Sequence, residues 1–101
     1  MNSQPIKPIK PIAKLVLYPG EKAGETEYLI VAGRTRLAQN VVENDLARAE
    51  EAKRRLMEAV EAVDPENFHL FSEIDPAVPR HIREAALEAI ATAEKATKDS
   101  R

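Results

Sequence analysis

The chain has 101 residues, a formal net charge of −2 and no cysteine, so it can form one domain with one core and cannot form disulfides or thiolate metal sites. Hydrophobic residues make up 44% and aromatic residues only 4%, which favours a packed globule built from Leu, Ile, Val and Ala. No apolar run approaches the roughly 18 residues of a membrane-spanning helix, and lysines and prolines interrupt the N-terminal segment, so we expect a cytoplasmic protein.

The charge is unevenly distributed along the chain. Residues 1–36 carry six basic and three acidic residues, a balance of +3, whereas residues 37–101 carry nine basic and fourteen acidic residues, a balance of −5. Nucleic-acid-binding domains usually have a stronger basic field than this.

Residues 1–11 contain repeated Pro-Ile-Lys triplets, which predict an extended arm. Pro5, Pro8 and Pro11 fix φ and remove amide donors, which excludes a helix or a central strand. Polyproline II has three residues per turn, so the isoleucines form one stripe along the arm and the lysines another. We expect the arm to clasp the apolar face of the hairpin that follows, on its own chain or across a dimer. A disordered leader and a PxxP ligand are the alternatives.

Residues 12–32 predict an antiparallel β-hairpin. The β-branched and aromatic runs 12–18 and 25–32 are typical of strands, and the segment 19–24 between them contains Gly20 and Gly24. Both faces of this hairpin are apolar, because Leu15 and Leu17 alternate with Val16 and Tyr18.

A lone hairpin is marginal in water, and a helical pair can cover only one of its faces. Its two edges also have no partner that the sequence indicates, and exposed edges invite strand pairing. We therefore predict a homodimer, or docking on another protein, through the hairpin and the arm. The predicted interface residues are Ile6, Ile9, Ile12, Val16, Tyr18, Leu29 and Val31.

The rest of the chain predicts three helices. Residues 35–63 lack Gly and Pro and indicate one long helix with Thr35 as N-cap, and apolar positions at four–three spacing run through it with Lys53 as the polar exception. Asp64-Pro65-Glu66 indicates the start of a short helix over 65–74, and residues 79–97 predict a C-terminal helix. The predicted fold is α+β: an extended arm, a hairpin, and a long, a short and a C-terminal helix packed as a helical hairpin. Residues 12–97 form the domain, and 98–101 form a frayed tail.

Candidate chemical sites are weak. Arg34 and Arg36 flank the predicted helix start and could bind an anion there, although solvated arginines beside an ordinary cap are the favoured explanation. His69, Glu73 and His81 lie near one another in sequence but match no metal-ligand spacing. We therefore expect no catalytic residue, no metal and no cofactor.

The sequence favours a non-enzymatic protein–protein interaction module: a small regulator, adaptor or inhibitor, of a type that mobile elements also encode. The hairpin and the arm carry the interaction, in a homodimer. The alternative is a dimeric nucleic-acid-binding regulator that uses the basic front third of the chain. Its contact residues are Lys7, Lys10, Lys14, Arg34 and Arg36.

Overall fold

The structure, a computed structural model, describes residues 11–63 and 67–99, with side chains as far as residue 95. The fold is α+β, with four strands and two α-helices in these residues. In chain order the elements are β1 (Ile12–Pro19), β2 (Glu25–Ala32), β3 (Thr35–Glu43), a 3₁₀ turn (Leu46–Arg48), α1 (Ala49–Ala62), β4 (His69–Ile74) and α2 (Arg80–Asp99).

The four strands form one mixed sheet in the order β3-β2-β1-β4. The pairs β1–β2 and β2–β3 are antiparallel, whereas β4 is parallel to β1, with Ala13 beside Leu70. β3 and β4 are the two edges, so α1 carries the chain across one face of the sheet from one edge to the other. Such a crossover is the usual way to join parallel strands.

The predicted hairpin is confirmed. β1 and β2 occupy the predicted segments, and Leu15 pairs with Ile30 at the centre of their ladder. The connecting turn closes with the Gly20 amide donating to the Glu25 carbonyl oxygen at 2.9 Å. Gly24 has φ of 82° there, a backbone conformation that glycine adopts without strain.

The predicted long helix over 35–63 is wrong, because residues 35–43 form β3. Gly33 has φ of 62° and reverses the chain within two residues, so the segment that follows lies beside β2 and takes its hydrogen bonds. This pairing outweighs the helix propensity of the Arg, Leu, Ala and Gln residues in β3. Thr35 begins the strand and caps no helix. Asp45 caps the 3₁₀ turn that precedes α1, and its Oδ1 accepts a hydrogen bond from the Ala47 amide at 3.0 Å.

The predicted short helix over 65–74 is also wrong, since His69–Ile74 is strand β4. In a helix, Phe68, Phe71 and Ile74 would form one apolar stripe. In the strand, Leu70 is buried and Phe71 is exposed. Residues 64–66, the predicted start of that helix, lie outside the described residues. Because β4 intervenes between α1 and α2, the helices do not form the predicted helical hairpin.

The predicted C-terminal helix is present as α2, which extends to residue 99, into the segment predicted as a tail. Both helices pack on the same face of the sheet and on each other. The buried seam residues of α1 include Leu56 and Val60, and those of α2 include Ile82 and Ala86, at the predicted spacing. Between the helices the Lys53 ammonium lies 3.0 Å from the Glu88 carboxylate. This ion pair raises the pKa of Lys53.

Candidate interaction surface

Within residues 11–63 and 67–99, one face of the sheet has no helix on it. On β1 the side chains that face α1 and α2 are fully buried, as Leu15 and Leu17 show, whereas the intervening Val16 and Tyr18 are only half-buried. The register extends this alternation of the two faces into β2, β3 and β4, although Asn40 of β3 and Ser72 of β4, on the helix side, are exposed. We call the side of the sheet that faces away from the helices the open face.

The middle of the open face is apolar. Val16 on β1 lies opposite Leu29 on β2, and both are half-buried by their strand neighbours. Val31 lies one step further along β2, and Phe71 lies in the same row on β4, with 53% of its surface exposed. We call these four residues the apolar centre. Ile12, also 53% exposed, extends it towards the start of β1.

Polar side chains surround the apolar centre and bond to one another. The Lys14 ammonium lies 3.5 Å from the Glu73 carboxylate. The Arg36 guanidinium donates to Gln39 Oε1 at 2.9 Å. A hydrogen bond to the Glu27 carboxylate, with a smaller contribution from burial, raises the pKa of Tyr18. Among the described residues, these bonds hold the polar groups beside the apolar centre.

Except for Glu73, which lies in the row of Val16 and pairs with Lys14, the charged residues of the open face are separated along the strand direction. Lys14 and Arg36 lie in the row of Val31, towards the start of β1, which we call the basic end. Glu27 lies beside Tyr18, on the far side of the apolar centre, and Glu25 follows it on β2; this is the acidic end. The open face is therefore an apolar patch between a basic end and an acidic end.

A β-bulge places Arg36 on this face. Ile30 pairs with Ala38 and Val31 pairs with Arg36, so Leu37 is the extra residue of β3. Without the bulge, strand alternation would bring Leu37 opposite Val31 and turn Arg36 towards the helices. The basic end therefore depends on this irregularity.

The hairpin edges do not have the role predicted for them. Both edges are paired within the chain, by β3 on one side and β4 on the other, which corrects the prediction that they are free. At the new edge, the Val41 amide of β3 donates to Asn40 Oδ1 at 2.9 Å, and the Arg55 guanidinium donates to the Val41 carbonyl oxygen at 3.3 Å. Side chains thus occupy both backbone groups of Val41, near the end of β3, which disfavours strand addition there.

The structure brings most predicted interface residues together. Ile12, Val16, Tyr18, Leu29 and Val31 all lie on the open face. The predicted residues Ile6 and Ile9, with Lys7 and Lys10 of the alternative prediction, lie outside the described residues.

The two predicted anion-binding arginines separate between a turn and a strand. Arg34 lies in the turn between β2 and β3, and Arg36 lies on β3, so the helix start on which their anion-binding interpretation depended is not at this position. The sequence prediction also missed Phe71 as an interface residue. It assigned residues 65–74 to a helix, whereas in strand β4 Phe71 faces the side of the sheet opposite to its neighbour Leu70.

The residues considered as possible metal ligands lie on two different elements, β4 and α2. His69 and Glu73 are on the open face of β4, and His81 is half-buried in the first turn of α2. In residues 11–63 and 67–99, no group of three or more acidic or histidine side chains is placed to hold a metal ion. No helix in the same part of the chain combines the length and apolarity needed to cross a membrane.

The basic cluster of α1 is occupied by ion pairs. Arg55 lies 3.6 Å from Glu51, as the i,i+4 spacing predicts, and Arg54 lies 3.1 Å from Glu58. The cleft of about 90 Å³ between α1 and the end of β3 is bordered by Arg55 and by Arg48, which lies 3.3 Å from Glu43. Both arginines that border this cleft thus already form ion pairs.

Comparisons with known proteins found no matching family model, no matching curated protein and no matching solved structure. The function is therefore argued from the open face alone.

Proposed function

We propose that the chain is a non-enzymatic protein–protein interaction module that binds its partner through the open face of the sheet. The observation that carries this proposal is the apolar centre, in which Phe71 is 53% exposed, Val16, Leu29 and Val31 are half-buried, and Lys14 lies between Phe71 and Val31. Contiguous apolar surface on a small domain is typical of a binding site. The lack of cysteine fits a reducing compartment such as the cytoplasm, where a small regulator, adaptor or inhibitor would act.

The layout of the open face supports a protein partner. Interfaces combine an apolar core that contains aromatic residues with a polar, charged rim, and Phe71 with the adjacent Lys14–Glu73 ion pair matches that description. The surface is a sheet face and not a cleft, which suits a partner with a complementary flat surface. Its mixed charge favours a partner that itself has both basic and acidic groups.

The second candidate function is binding of a single-stranded nucleic acid. It is favoured by one arrangement: Phe71 lies in the same row as Lys14 and Arg36, so an aromatic ring and two cations could contact a stacked base and its phosphates. The acidic end of the same face opposes it, because Glu25 and Glu27 would repel the next phosphates along the strand. We therefore rank it below a protein partner.

The protein-binding proposal is tested by comparing two leucine-to-lysine substitutions. Leu29→Lys puts a charge into the apolar centre, whereas the control Leu87→Lys changes an exposed leucine on α2, on the opposite side of the molecule. Bait proteins carrying each change are used for affinity capture and mass spectrometry in lysate of the producing organism, with self-capture scored by a second tag. Protein binding, to itself or to another chain, should survive Leu87→Lys and be lost with Leu29→Lys. Equal binding by both variants would contradict the proposal.

The nucleic-acid candidate has its own test. A fluorescent oligouridine and an oligothymidine are titrated with the full chain at low salt. Binding that weakens steeply with added salt and is lost with Arg36→Glu would favour this candidate, because each released counterion contributes to the salt dependence. Unchanged anisotropy at low salt would exclude it.

A further inference from the structure

We propose that the partner on the open face is a second copy of this chain, related by a two-fold axis that lies in the interface and runs perpendicular to the strands. This inference rests on the proposed function and goes beyond it by specifying the partner and its orientation. In such a dimer the two sheets face each other about 10 Å apart, with their apolar centres in contact.

The separation of charge on the open face selects this orientation. A two-fold rotation about an axis perpendicular to the strands reverses the strand direction of the second copy. The row that contains Lys14 and Arg36 then lies over the row that contains Tyr18 and Glu27 of the second copy, while Val16 and Leu29 remain at the centre. Each basic end thus meets an acidic end, and the contact occurs twice. Glu73 lies in the axis row and approaches its counterpart, but the Lys14 ammonium of the same chain, 3.5 Å away, offsets its charge.

A two-fold axis that lies in the interface but runs parallel to the strands would bring like charges together. A two-fold axis parallel to the strands keeps the rows in the same order, so Lys14 approaches the second copy's Lys14 and Glu27 approaches its counterpart. Like charges placed across an interface oppose association. The self-complementary charge pattern therefore accommodates a second copy in one orientation and disfavours the other.

The size of the open face limits the strength of such a dimer. Four strands about 4.8 Å apart and eight residues of about 3.3 Å give a footprint of roughly 500 Å² per copy, or about 1,000 Å² in total. Specific interfaces need about this area as a minimum. We therefore expect a weak, concentration-dependent dimer, without strand pairing at the blocked β3 edge.

The first experiment measures self-association of the full chain by sedimentation equilibrium from micromolar to millimolar concentration. The wild type and the Leu87→Lys control should dimerise with the same dissociation constant. Leu29→Lys should weaken dimerisation by about tenfold or more, because it places two like charges on the axis. Circular dichroism of each variant checks that the fold is retained.

The second experiment tests the orientation by mixing two charge variants. Arg36→Glu alone and Glu27→Lys alone each create two repulsive contacts in their own dimer, so each should weaken dimerisation by about tenfold. In an equimolar mixture, both contacts of the heterodimer are attractive again, and association should return to within about threefold of the wild type. Distinct fluorescent labels on the two variants report the heterodimer.

Several results would overturn this inference. A wild type that remains monomeric at millimolar concentration would exclude the second copy. If a different protein is then captured in a Leu29-dependent manner, the proposed function survives the loss of the dimer. A monomer that Leu29→Lys destabilises strongly would point to residues 1–10 as the cover of this face. Dimerisation that the single variants weaken and the mixture does not restore would exclude the proposed axis.

Discussion

Two neighbouring residues of β2 provide a direct test of the one-sided sheet. Ile30 faces the helices and is fully buried, whereas Leu29 faces the opposite way and is half-buried. The two side chains contain the same number of carbon atoms. Truncating each to alanine therefore removes the same apolar groups from two different environments.

The expected losses differ because only one site leaves a closed cavity. Ile30→Ala removes three carbon groups worth about 0.8 kcal/mol each, about 2.4 kcal/mol in total. A residual cavity of about 40–80 Å³ adds about 1–2 kcal/mol at roughly 24 cal/mol per Å³. The free energy of unfolding should thus fall by about 3.5–4.5 kcal/mol. Leu29→Ala leaves no enclosed space and should lower it by about 1–2 kcal/mol.

Urea denaturation followed by far-UV circular dichroism measures both losses, at a protein concentration low enough to keep the chain monomeric. The linear extrapolation gives each free energy of unfolding, and an unchanged slope shows that the denatured state is comparable. Equal losses at the two positions would refute the reasoning. They would mean that both faces of the sheet are covered in the monomer.

Three further predictions concern the turn, the core tyrosine and the strand edge. Gly33→Ala should lower the free energy of unfolding by about 1–2 kcal/mol, because φ of 62° strains any residue with a Cβ, and an unchanged urea midpoint would contradict this. Burial raises the pKa of Tyr28 above 10.0. The contribution of the neutral phenol to stability is therefore complete below pH 10.0 and is lost as the pH rises towards the folded-state pKa. The urea midpoint should fall above pH 10.0, and it should fall less steeply in Tyr28→Phe. The double variant Asn40→Val, Arg55→Leu should expose the β3 edge and accelerate aggregation, measured by light scattering. The control Arg54→Leu removes only ion pairs with glutamates of α1 and should not accelerate aggregation.

The sequence predicted those elements whose signals are local. The hairpin is recognisable because β-branched and aromatic residues flank a glycine-containing turn, and α2 because its alanine and isoleucine positions follow the helical period. The two failures have one cause. Residues 35–43 contain good helix formers, and residues 69–74 are a short segment whose three apolar residues fit either period, so the local signal could not identify them as strands.

The candidate interaction surface likewise combines residues that local sequence patterns predicted with a residue that only non-local strand pairing places there. Strand alternation within the hairpin was sufficient to predict that Val16, Tyr18, Leu29 and Val31 share a face that one helical pair cannot cover. Phe71 joins that face only because β4 pairs with β1. Its inclusion depends on a contact between residues that are distant in sequence.

The sequence by itself determined the hairpin, its two apolar faces, the helical character of residues 49–62 and 80–97, and the basic front and acidic back of the chain. Only the tertiary structure decided that β3 and β4 pair with the hairpin edges and that both helices lie on one side of the sheet. It also decided that a bulge at Leu37 turns Arg36 towards the open face. The physical reason is that a helix satisfies its backbone hydrogen bonds within its own segment, whereas a strand satisfies them on a neighbour. Which neighbour each strand meets is a property of the whole chain.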